Sequence, residues 1–254
     1  MQIIERVYQE ALPRLRGLTL VDAVIGISFL GVQLSDGSVH FCYLMRECLP
    51  SGDAIFPYGV QMIGRPADEI AEWALIGAED LMRGLGVATL CAVAPKSPLS
   101  MGQNSDAFYE SIPASSRVGM IGYMPPIVQK LKDKCELLCF DRAVELKGTI
   151  EDIQICPMEE QDLRLPTCDY VVISGTSLIN HSLDALLSMS TNARGIIVNG
   201  FSLPFYPEAF SGTAVTALGA ARFPDQAHEL FKAVSLAAGR HSLRPYTKSQ
   251  FSFV

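Results

Sequence analysis

From Arg117 onward the sequence alternates short β-branched apolar runs with stretches of helical spacing, and no other feature limits the fold so strongly. Residues 117–122, 136–141, 170–174, 195–199 and 215–218 read as strands. Residues 126–134 and 226–238 read as helices, with a short helix near 159–163, a strand or loop at 153–156 and a helical turn at 208–211. Strands separated by helices require a parallel sheet with right-handed crossovers. Ligands of such open sheets bind outside the carboxyl ends of the strands, so the loops there are where function is to be sought.

The most informative of these loops lies within residues 169–190. An apolar strand ends at Gly175, Leu183, Leu186 and Leu187 then carry helical spacing, and Thr176, Ser177 and Asn180 lie between. Their hydroxyl and amide groups can hold a polar or anionic ligand beside a helix N-terminus. They are equally ordinary N-cap residues. His181 follows directly and has the chemistry to ligate a metal or move a proton near neutral pH, or to sit solvated at a helix start.

Two further loops leave the same sheet edge. Gly122, Tyr123 and Met124 precede Pro125 and Pro126, and Asp141 ends the next strand. A dinucleotide-binding unit places a ribose-binding carboxylate there, so a nucleotide or S-adenosylmethionine-like cofactor is one reading. The pattern is not G-x-G-x-x-G, and the prolines remove N–H donors where phosphate would need them, so a structural turn is the other reading. Asn199 and Gly200 follow a later strand, in a loop stiffened by Pro204 and Pro207. The three loops together predict a crevice lined by Gly122, Tyr123, Asp141, Gly175, Thr176, Ser177, Asn180, Asn199 and Gly200.

The first half has a different pattern. Ile3, Ile4, Val7, Ala11 and Leu15 share one helical face. Residues 22–34 read as a strand, Asp36-Gly37 as a hairpin turn and residues 39–45 as the returning strand. Pro66 opens a helix that Gly84-Leu85-Gly86 would end, and residues 87–94 read as a second short helix. The predicted organisation is therefore a small α+β lobe over 1–95, a Pro- and Ser-rich connection over 96–116 that can hold a short helix at 106–111, and an α/β domain over 117–254. On the returning strand His40 and Cys42 share a face, with Arg46, Glu47 and Cys48 beyond it; imidazole and thiolate suit a soft metal, although period-two alternation also produces such pairs by chance.

Composition narrows the function classes. Of 254 residues, 49% are hydrophobic and 19% charged, enough apolar content for a sizeable core. The formal net charge of −7 argues against nucleic-acid binding. No apolar segment reaches the about 18 residues expected of a membrane span, and the first ten residues do not read as a secretory signal, so a soluble, cytoplasmic chain is expected. The seven cysteines show no C-x-x-C pair and sit mostly in apolar runs, as reduced core thiols do. No H-E-x-x-H, P-loop or G-x-S-x-G elbow occurs, so no catalytic residue is assigned and an enzymatic role stays open. Dimerisation is open as well.

Three stretches of the second half, Arg117-Val-Gly-Met-Ile-Gly-Tyr-Met-Pro, Cys139-Phe-Asp-Arg142 and Val172-Ile-Ser-Gly-Thr-Ser-Leu-Ile-Asn180, resemble the family of putative heavy-metal chelation proteins. The hairpin at Asp36-Gly37 and the Gly86-Val-Ala-Thr-Leu stretch are similar to its first lobe. The resemblance implies an α/β chain in which a small lobe similar to the enolase N-terminal domain precedes a Rossmann-like domain. It further implies a site between the lobes that binds a metal ion, a metal complex or a small anionic molecule.

Overall fold

The computed structural model describes residues 1–49, 56–95, 105–144, 148–150, 153–224 and 228–254. Helix α1 (Ile3–Leu15) leads into an antiparallel sheet of β1 (Leu20–Ile25), β2 (Phe29–Leu34) and β3 (Val39–Tyr43). The stretch expected as one strand over 22–34 is thus two. It is divided at Gly26, where an added Cβ would lie 2.9 Å from the Val234 side chain. The Asp36-Gly37 turn joins β2 to β3, with Gly37 at φ +87°.

Helices α2 (Ala67–Ile76) and α3 (Asp80–Ala92) follow. The expected break at Gly84-Leu85-Gly86 lies instead at Gly77, whose N–H donates to the Trp73 carbonyl as a cap. Gly84 and Gly86 are inside α3, where their missing side chains let other elements approach. A Cβ at Gly86 would land on the Ala74 amide of α2, and one at Gly84 would meet a methyl of Leu30. The expected second helix over 87–94 is the last part of α3.

The second half begins with α4 (Asp106–Ser111) and continues through β4 (Arg117–Ile121), α5 (Pro125–Leu131), β5 (Glu136–Phe140), β6 (Thr149–Ile150), β7 (Ile153–Ile155), α6 (Gln161–Arg164), β8 (Tyr170–Ser174), α7 (Leu183–Met189), β9 (Gly195–Gly200), α8 (Pro207–Phe210), β10 (Ala217–Arg222), α9 (His228–Ser235), α10 (Arg240–Leu243) and β11 (Lys248–Phe253). Among the described residues the strands form one eight-stranded sheet in the order β11-β10-β9-β8-β4-β5-β7-β6. All neighbours from β10 to β7 are parallel, while β6 and β11 are antiparallel edges. The chain is a mixed α/β protein. The strand expected at 215–218 begins two residues later and runs to Arg222, and β11 was not anticipated.

Apolar residues alternate across the large sheet. Val118, Met120 and Val172 pack with Phe108 and Tyr109 of α4 on one face. Ile121, Val171 and Ile173 pack on the other, in a core continuous with α1, α2, α3 and β2. The far face of the small sheet is closed by the chain's C-terminal part: Phe29 and Phe41 meet Phe223, Leu230, Phe231 and Val234. The small sheet therefore lies between α3 and α9, and side-chain packing joins the two sheets. No helix among the described residues is long and apolar enough to cross a membrane.

Candidate functional site

The strand order reverses between β4 and β8, since the chain moves outward to β5 and β7 on one side and to β8, β9 and β10 on the other. Loops leaving such a switch point diverge and leave a crevice at the carboxyl edge. Two adjoining cavities lie there, of about 320 and 300 Å³, and Tyr43, Met124 and Ser174 border both. The end of β3 and the residues after it, Leu44 to Glu47, form the opposite wall of the smaller one. The first sheet thus covers the edge from which the loops emerge.

The predicted residues divide into two groups. Gly122, Tyr123, Asp141 and Thr176 line the smaller cavity, and Asn199 and Gly200 line the larger. Gly175, Ser177, Asn180 and His181 line neither of the two. Gly175 serves close approach, because a Cβ there would sit 2.7 Å from the Ser202 carbonyl carbon. Ser177 is buried, and its hydroxyl has no hydrogen-bond partner among the described residues. The carboxamide oxygen of Asn180 accepts from the Ser182 amide at 3.1 Å and the Ser182 hydroxyl at 2.7 Å. His181, at φ +57°, donates from Nε2 to the Ala74 carbonyl at 2.7 Å. Arg83 likewise donates to the Ile179 carbonyl. Residues 179–181 therefore dock the second half onto α2 and α3.

The cap chemistry also differs from expectation. Residues Gly175–Leu178 form a 3₁₀ turn capped by Ser174, whose hydroxyl accepts from the Thr176 amide at 3.4 Å, rather than by Thr176 or Ser177. The Thr176 hydroxyl donates to the Ser174 hydroxyl at 2.9 Å, so the crevice wall carries a linked hydroxyl pair. Asn199 donates through Nδ2 to the Tyr109 hydroxyl at 3.0 Å, which fixes its amide across the larger cavity. Burial raises the Tyr109 phenol far above its ordinary range, so it stays neutral there.

Asp141 occupies the position of a ribose-binding carboxylate, but its oxygens are engaged. Oδ2 accepts from the Tyr123 amide at 2.6 Å and Oδ1 from the Ala143 amide at 2.8 Å. It ties the β4 and β5 loops together across the crevice floor. Pro125 and Pro126 occupy the first positions of α5 and supply no N–H. A carboxylate on one loop amide and prolines in place of the next donors form an unfavourable cradle for a pyrophosphate.

Three cationic side chains border the larger cavity, and Arg46 borders the smaller. Lys130, Arg240 and Arg244 line the larger one, and Lys130 is paired with Asp106 at 2.5 Å. Neither arginine has an ion pair among the described residues. The sequence pattern did not single out either one, since α10 has no strong period of its own.

A second constellation lies behind the crevice wall. His40 and Cys42 of β3 meet Cys91 of α3, with one ligand-type atom from each lying within 4.8 Å of the others. They are 2%, 0% and 7% exposed. His40 Nε2 donates to the Phe201 carbonyl at 2.7 Å. Burial pushes the Cys42 thiol up, but hydrogen bonds from Cys91, His40 and Ser202 outweigh it and leave Cys42 below the ordinary thiol range. Cys91 moves well above that range through burial and its Cys42 neighbour. Cys48, the thiol expected beside His40 and Cys42, is not part of the group. Cys91 comes from a distant helix, and no spacing rule links it to β3.

Two family models, both described as "Putative heavy-metal chelation", match this chain: DUF364 over residues 106–253 and DUF4213 over residues 8–94. The chain belongs to the DUF364 family. It is similar to a DUF364 protein of unknown function from Pyrococcus horikoshii, with 23% identity and a TM-score of 0.80 over 100% of both chains. It is also similar to a DUF364 protein of unknown function from Desulfitobacterium hafniense, with 19% identity and a TM-score of 0.75 over 98% of this chain and 99% of that one. At these identities the likeness concerns the fold. An uncharacterised protein of Methanocaldococcus jannaschii is 32% identical over 111 residues, which span 43% of this chain and 41% of that protein.

Proposed function

We propose that this DUF364 chain binds a small anionic molecule or an anionic metal complex in the crevice at the switch point. The observation that carries this reading is the pair of arginines without ion partners among the described residues, Arg240 and Arg244, lining a cavity of about 320 Å³ in a chain of net charge −7. That volume suits a small ligand, and a few fixed polar groups among apolar walls are what such sites use for orientation. Asn199 and Ser174 supply the neutral groups, Tyr43 and Phe201 the apolar wall. Guanidinium groups bind carboxylates and phosphates through paired N–H donors. A metal would then arrive inside an organic chelate, held through the chelate's carboxylates. The family description supports a link to metals in the same direction.

The test is mild purification followed by native mass spectrometry and elemental analysis, then titration with citrate and ferric citrate. Binding that is present in the wild type and lost in the Arg240→Ala/Arg244→Ala double variant is the expected result. Each bidentate contact is worth about 1.5–3 kcal/mol, so the loss should exceed a hundredfold. If neither a retained anion nor either probe responds to the double substitution, the reading fails.

A further inference from the structure

We propose a second, separate site: His40, Cys42 and Cys91 bind a soft divalent d10 ion of the Zn²⁺ and Cd²⁺ class, without any organic chelator. The three ligand-type atoms lie within 4.8 Å of one another. An ion bonded to sulfur at about 2.3 Å and to nitrogen at about 2.1 Å holds such ligands roughly 3.5–4 Å apart. Closure onto an ion therefore takes less than a rotamer change at each residue. A cavity of about 10 Å³ adjoins His40 and Cys91, close to the volume of one water-sized sphere.

Charge selects the class of ion. Loading releases both thiol protons to solvent, so two thiolates and a neutral imidazole meet two positive charges. The filled site is neutral, as burial this deep requires. A monovalent ion would leave a net negative charge in the core, and a hard divalent ion would find no carboxylate. The Nε2–H bond to the Phe201 carbonyl, at 2.7 Å, orients the His40 ring and leaves Nδ1 as the nitrogen whose lone pair can ligate. The ligands stand on a strand and a helix rather than on loops, and the Phe223 ring packs edge-on against His40 at 5.3 Å. That support holds the imidazole in place before an ion arrives. No other group of three such residues converges among the described residues.

This site uses none of the crevice arginines, so the two proposals fail independently. The experiment is titration of the reduced, chelator-stripped full chain with CdCl₂ alone, read by the ultraviolet thiolate-to-cadmium charge-transfer band and by Tm. One equivalent with a rise in Tm is expected. Cys91→Ala should weaken binding at least a hundredfold, while Cys48→Ala and the Arg240→Ala/Arg244→Ala variant should bind cadmium as the wild type does. Should Cys91→Ala fail to fold, X-ray absorption of the cadmium-loaded wild type counts the ligands directly. Two sulfurs with one imidazole nitrogen support the site. A shell without sulfur, no band in the wild type, or wild-type affinity in a folded Cys91→Ala protein overturns it.

Discussion

Asp141→Asn separates the two readings of the crevice floor. In the structure the carboxylate accepts from two backbone amides, at 2.6 Å from Tyr123 and 2.8 Å from Ala143. Asparagine keeps one acceptor oxygen and places an NH₂ group against the other amide. One charge-assisted bond is lost, and the donor left behind faces a donor, which together cost about 2 kcal/mol. For a chain of this size that lowers Tm by roughly 4–8 °C. Differential scanning fluorimetry of the unliganded protein reads the shift, and repeats with ATP, NAD and S-adenosylmethionine read cofactor binding. The expected outcome is a lower Tm and no stabilisation of the wild type by any adenine cofactor. An unchanged Tm, together with cofactor stabilisation present in the wild type and lost in Asp141→Asn, would refute the structural role and restore the ribose-binding one.

Two further outcomes follow from the packing. Gly86→Ala gains helix propensity worth about 1 kcal/mol, but its Cβ lands on the Ala74 backbone, so overpacking of about 1–3 kcal/mol or more leaves a net loss by urea denaturation. Gly84→Ala meets only a methyl of Leu30 at 2.8 Å and should be near neutral; equal effects of the two substitutions would contradict the close α2–α3 approach. Burial pushes the Cys139 thiol up to about 12, aided by the Asp141 and Cys156 charges, and burial pushes Cys168 up to about 11. Both thiols ionise in the unfolded chain near 9.0 but stay protonated in the fold, so stability is unaffected below pH 9 and falls as pH rises from 9 towards 12. Denaturation curves of the wild type should steepen in that window relative to Cys139→Ala/Cys168→Ala, and parallel curves would remove the effect.

Much of the second half was legible because its central strands are buried on both faces, and such strands write themselves as continuous apolar runs. Residues 170–174 are the clearest case. Edge strand β11 was missed for the converse reason: Lys248, Ser249, Gln250 and Ser252 give it no apolar run, since it pairs on one side only. The glycines of α3 misled because local propensity treats Gly84 and Gly86 as terminators, whereas the close passage of α2 requires the second of them. At the site, six of the residues singled out by loop chemistry line the two cavities. Of the other four, His181 docks onto α2, Gly175 admits the Ser202 backbone, Asn180 holds Ser182 and Ser177 is buried, tertiary roles that a single loop's composition does not encode. The thiol group was half legible: period two put His40 and Cys42 on one face, and only the packing of α3 on β3 could supply Cys91.

The crevice and the thiol–imidazole group share one wall, and glycines build it. Gly200 turns the chain at φ +132°, and Gly175 has no Cβ to hold off the Ser202–Leu203 backbone. Phe201 can then present its side chain to the larger cavity while its carbonyl accepts from His40. Ser202 completes the join, its hydroxyl accepting from the Tyr43 amide at 3.0 Å at the end of β3. The Phe201 ring is held at 5.4 Å from Phe29, 5.7 Å from Tyr43 and 5.8 Å from Phe223, so it cannot shift without disturbing the small sheet. Gly175 and Gly200 thus act through the backbone: they permit the approach that sets both faces of this wall. A side chain at Gly175 would collide with backbone atoms of Ser202 and Leu203 and displace the wall as a unit, whereas truncation of Arg244 at the cavity rim would leave it standing.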